Sequence, residues 1–128
     1  MSLFVLEAFE YVHAAHAAEY ERRGAAIQAK VKAIEPDMLV HLQTRIATTD
    51  TEVTYRWLEV FRNFEGMAAH FDGAHVKEHL RYLNDGVLSR PTDLKLHVDW
   101  TAEQKAAWRA RVPSIEFVDP VNAFFRTV

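Results

Sequence analysis

Seven histidines and no cysteine set the chemistry open to this 128-residue chain. Without thiols there are no disulfides, no thiolate metal sites and no cysteine nucleophiles. His75 and His79 stand four apart beside Glu78, with His70 just upstream. Two imidazoles at that spacing share one face of a helix and suit a zinc ion. A third ligand is still required, and no H-E-x-x-H pattern is present. The expectation is therefore no metal, with His70 bonded to backbone near the Asp72-Gly73 break. His13 and His16 fall at a turn or helix start and are expected to be exposed. No P-loop, dinucleotide fingerprint or G-x-S-x-G elbow occurs, and Ser89 and Ser114 lack a triad pattern. What His41 and His97 can do depends on the elements that carry them.

Those elements can be read from period and punctuation. Tyr20, Gly24, Ile27, Val31 and Ile34 share one face of a helix over 14–34, which Pro36 ends. Gly24, inside that stripe, implies close packing against another backbone. Met38, Val40, Leu42 and Ile46 alternate with His41, Gln43 and Arg45, which predicts a strand over 38–46. Residues 52–61 predict the next strand, and the polar Thr-Thr-Asp-Thr tract between them predicts a hairpin. Asn63 suits a helix N-cap. Asp72-Gly73 divides the helical stretch that follows, and Gly86 suits a position just past its end. Residues 94–99 alternate as a strand, and Thr101 to Gln104 has the form of a capping box. Residues 3–12 read as a strand or as an extension of the first helix, the strand being preferred. Residues 115–118 and 122–126 are short strands or an extended tail.

The order β-α-β-β-α-β is the ferredoxin-like pattern: an α+β fold with a four-stranded antiparallel sheet, here followed by a helix and tail. Helices would cover one face. The other would carry Tyr55, Trp57, Glu59 and Phe61 beside His41, Gln43 and Arg45. A face so aromatic is too apolar for water, so a homodimer through the sheet face, enclosing a lumen, is expected.

The stretches Glu35-Pro-Asp-Met-Leu-Val-His41, Tyr55-Arg-Trp-Leu-Glu-Val-Phe61, Phe64 to His70 and Ala74 to Leu80 resemble the antibiotic biosynthesis monooxygenase (ABM) family of the dimeric α+β barrel superfamily. The resemblance spans roughly residues 17–100, with Asp37 in place of the usual glycine. It implies one ABM-like domain over 1–128, with a core of about 3–100 and a C-terminal extension at 101–128. It also implies oxygenation, without a cofactor, of a quinol-like or polycyclic aromatic substrate. Haem-degrading members carry an Asn on the first strand with a Trp and a His on helices; here the first segment has no Asn and neither middle helix carries a Trp, so that activity is not expected.

Such chemistry needs a dry aromatic pocket and a base that makes an electron-rich anion able to reduce O2. His41, Glu59 and His97 are the catalytic candidates, because imidazole titrates near neutrality and burial can raise a carboxylate towards it. Tyr55, Trp57 and Phe61 would stack on the substrate, and Arg45 would stabilise an anion. The alternative is that the aromatics seal the dimer while Glu59 pairs with Arg45 or Arg56, leaving a non-catalytic binding or structural module. A net charge of -3 argues against a nucleic-acid partner. No apolar run reaches the ~18 residues of a membrane helix, and Leu3 to Leu6 is too short for a signal peptide, so a cytoplasmic location is expected.

Overall fold

The computed structural model describes residues 3–126. Its elements run β1 (Phe4–His13), α1 (Ala17–Ile34), β2 (Met38–Thr48), β3 (Glu52–Phe61), α2 (Phe64–Asp72), α3 (Ala74–Leu83), β4 (Leu88–His97), α4 (Ala102–Arg111) and β5 (Ile115–Val118). The fold is α+β and ferredoxin-like, and residues 4–13 are the preferred strand. The sheet has five strands rather than four, in the order β2-β3-β1-β4-β5. The extra strand, β5, runs parallel to β4, while the other pairs are antiparallel. Residues 122–126 form no strand, and residues 127–128 of the extension lie outside the described residues.

Local signals place most of these boundaries. The Asn63 side chain accepts a hydrogen bond from the Gly66 amide at 2.7 Å and starts α2. Thr101 and Gln104 close a reciprocal capping box at the start of α4. Gly86, with φ at 78°, occupies the left-handed region that a side chain disfavours. Strand β4 begins six residues before the predicted 94–99. Pro91 falls where the β1–β4 register shifts, so its missing N–H interrupts no regular ladder.

The sheet face packed by the helices differs from the expected one. Val53, Tyr55, Trp57, Glu59 and Phe61 point towards the chain's own helices and are buried. His41, Gln43 and Arg45 pair across from Glu59, Trp57 and Tyr55 and share that face. The open face instead carries Val40 and Leu42, exposed at 39% and 46%, together with Leu58, Val60, Val5 and Phe9. Both parities of β3 are rich in apolar residues, and the larger aromatic set took the interior. A register shift between Met38 and Val40 returns Met38 to the helix side, so β2 shows its apolar stripe outward.

Two hydrophobic clusters sit at opposite ends of the helix-covered face. One joins Leu6, Phe61, Met67, Leu96, Trp108 and Ile115; the other joins Val12, Tyr20, Val53, Tyr55, Leu83 and Val87. Gly24 meets a side chain rather than a backbone: a Cβ there would lie 2.8 Å from the Gln43 carboxamide oxygen. Among the described residues, no helix is long and apolar enough to cross a membrane.

Candidate active site

Between the two clusters lies a cavity of about 600 Å³. Leu6 and Ala8 of β1, Ile27 of α1, Val76 of α3 and Leu94 of β4 supply apolar wall. Residues 111–114, from the end of α4, close one side, where Arg111 pairs with Asp72 at 2.5 Å. The polar lining comes chiefly from Glu10, His41, Glu59, His70 and His79. Three of these, Glu10, Glu59 and His70, are buried charged groups. Charges are rarely buried without partners.

The partners form two chains of contacts. In the first, His70 Nδ1 donates to Glu35 at 2.9 Å, and His70 Nε2 lies 3.4 Å from Glu59 Oε1. His41 Nε2 reaches the same Glu59 oxygen at 3.5 Å, and His75 Nε2 donates to Glu35 at 2.5 Å. In the second, Glu10 Oε1 accepts from the Tyr20 hydroxyl at 2.6 Å, from Trp57 Nε1 at 3.0 Å and from His79 Nε2 at 3.1 Å. The His41 ring stacks on Trp57 with centroids 4.7 Å apart and links the two chains. His41 Nδ1 is buried and has no hydrogen-bond partner among the described residues.

The electrostatics follow from this placement. Burial alone would lower the His70 pKa, but Glu59 and Glu35 outweigh it and push it up to about 10. Burial likewise opposes ionisation of Glu59, yet His70 and His41 hold its carboxyl well below the usual carboxylate range. Burial and the neighbouring Glu10 carboxylate raise the Tyr20 hydroxyl, so it remains a donor.

These shifts carry a pH dependence. The stabilisation from His70 is fully present below its unfolded value of 6.5 and is lost as pH rises through about 10. That from Glu59 is present above its unfolded value of 4.5 and is lost as pH falls through about 2. Thermal melts followed by circular dichroism, with a chelator present, should therefore peak between pH 4.5 and 6.5. A midpoint that climbs steadily from pH 6 to pH 9 would contradict the His70 assignment.

Of the predicted site residues, His41, Glu59 and Trp57 line the cavity. The other four lie elsewhere. Tyr55 packs on Tyr20 with centroids 4.4 Å apart and donates to Glu21, the same acid that pairs with exposed Arg45. Phe61 is fully buried in a hydrophobic cluster. His97 sits on the opposite face of the sheet, 2.8 Å from Glu7, because β4 alternates and Leu96 takes the interior. His70 bonds a carboxylate rather than local backbone, and His75 and His79 each bond a carboxylate too. Glu10 and Glu35 were not anticipated as their partners. The available signal for Glu10 was its position on the otherwise apolar parity of β1, with Leu6, Ala8 and Val12.

No protein-family model and no curated protein sequence matches the chain. Solved structures do. A crystal structure of "a putative antibiotic biosynthesis monooxygenase" from Caulobacter crescentus CB15 superposes with a TM-score of 0.67 at 25% identity, covering 77% of this chain and 90% of that one. The chain is ABM-like. A second protein so named, from Deinococcus radiodurans, matches at 15% identity and a TM-score of 0.64, over 79% of this chain and 95% of its own. MupZ from Pseudomonas fluorescens matches at 17% identity and a TM-score of 0.69, over 97% of this chain and 93% of its own. The share covered by MupZ is large enough to take in most of the segment after residue 100, so α4 and β5 have counterparts in that structure. In this ABM-like chain that segment supplies one wall of the cavity.

Proposed function

We propose that this ABM-like chain is a monooxygenase without an organic cofactor, taking a flat phenolic or quinol-like molecule into the cavity. The observation that carries this reading is His41. Its Nε2 faces the ionised Glu59, so the Nε2 proton is directed at that carboxylate. That leaves the Nδ1 lone pair, buried and unpartnered among the described residues, to accept a proton. His70, clamped between Glu35 and Glu59, keeps Glu59 ionised and so positions His41. Trp57 fixes the imidazole plane by stacking. The anion made by His41 is electron-rich enough to reduce O2. One oxygen atom then becomes bonded to a ring carbon and the other leaves as water, whose two hydrogens come from the substrate: one from the ring C–H and one from a hydroxyl in a quinol, or both from the CH2 carbon in an anthrone.

The open sheet face fits a homodimer, since Val40, Leu42, Leu58 and Val60 form an apolar patch that no helix among the described residues covers. Light scattering should give the mass of two chains, and Leu42→Glu should give that of one.

Oxygen uptake with a panel of quinols and anthrones tests the chemistry. The parent should turn over at least one of them, and His41→Ala should lower kcat by about 100-fold or more. Binding without oxygen uptake across the panel would instead support a small-molecule-binding module of the same fold.

A further inference from the structure

His70 and His75 are five residues apart, which on one continuous helix would place them about 140° apart around the axis. The chain does not continue as one helix. Gly73, at φ -65° and ψ 140°, separates α2 from α3 and turns the second histidine towards the first. Glu35, the residue that ends α1 ahead of Pro36, meets both. One donor atom from each of Glu35, His70 and His75 lies within 4.8 Å of the others. Glu35 thus completes a three-ligand set with His70 and His75, whereas His79, four residues from His75, turns to Glu10.

We propose that Glu35, His70 and His75 bind a borderline divalent metal ion, Zn2+ in the first instance, through two imidazole nitrogens and a carboxylate. Two nitrogens and one oxygen are a donor set that zinc accepts, with a fourth position left open. Donors at zinc's usual ~2.0–2.1 Å stand roughly 3.3 Å apart, so the 2.5 and 2.9 Å contacts need open by less than about 1 Å.

A second observation points the same way. His70 would ligate through Nδ1, and its other nitrogen, Nε2, lies 3.4 Å from Glu59. Metal-bound histidines characteristically donate their remaining N–H to a carboxylate, which sets the tautomer and strengthens the ligand. Binding would displace the Nδ1 proton to solvent and put the ion's charge in its place, so Glu59 keeps its hydrogen bond. The ion would sit behind His70, with the imidazole between it and Glu59. The inference is therefore independent of the oxygenase reading.

Calorimetric titration of the chelator-treated full chain with Zn2+ tests this. One ion per chain is expected. His75→Asn and Glu35→Gln should each weaken binding at least about tenfold, by analogy with lesser changes around metal sites. His97→Asn, on the opposite face of the sheet, should leave it unchanged. Loading with Co2+ reads the parent protein alone and should give the intense visible bands of a four-coordinate ion. Substoichiometric binding, unchanged affinity in either ligand variant, or loss in His97→Asn would overturn the proposal. If a variant fails to fold, a cobalt spectrum no stronger than that of the hydrated ion would do the same.

Discussion

Replacing His70 with alanine is expected to cost about 3–5 kcal/mol of folding stability, the usual consequence of removing one partner from a buried ion pair. Glu35 and Glu59 both contact His70, and the imidazole is the cation between them. Without it, Glu59 keeps only the 3.5 Å contact to His41, while Glu35 keeps His75. One buried carboxylate must then take up a proton or draw in water. Denaturant melts at pH 6, with a chelator present, measure the loss. The double variant His70→Leu, Glu59→Leu should lose less than the sum of its single changes, because it removes the orphaned charge with its partner. Additive losses would mean that the two side chains act independently.

Trp108→Ala should cost about 3–5 kcal/mol as well, for a different reason. Trp108 is 4% exposed and lies against Phe64, Phe71 and Trp100, with ring centroids 5.5 to 6.3 Å apart. Its indole N–H has no hydrogen-bond partner among the described residues. The side chain therefore contributes through packing, and Trp108→Phe should lose far less than Trp108→Ala. A loss below about 1 kcal/mol in the alanine variant would mean that α4 is an ornament on the sheet and not part of its core.

What could be read in the chain beforehand was whatever local chemistry decides. Asn63, the Thr101–Gln104 box, Pro36 and Gly86 act on neighbours a few residues away, and the elements begin or end there. Sheet parity is not local. Tyr55 and Trp57 point inward because α1 and the Glu10 network receive them, and an apolar count on β3 does not distinguish that face from Leu58 and Val60. The site followed the same division. His41, Glu59 and Trp57 were accessible because they stand on adjacent paired strands. The partners of His70 and His79 are 35 and 69 residues away, and only the tertiary fold joins them.

The layer of ions between the two hydrophobic clusters has a consequence for what the protein can hold. A void lined by leucine and phenylalanine stays dry and can be filled by any apolar molecule of the right shape. This one has Glu10, Glu59 and His41 in its lining, so water should occupy it at rest. An incoming molecule must replace the hydrogen bonds of that water as well as fill the space. Plain hydrocarbons of suitable size should therefore be poor occupants. Selectivity would then come from where a guest carries its hydroxyl or carbonyl groups, with ring size a secondary filter.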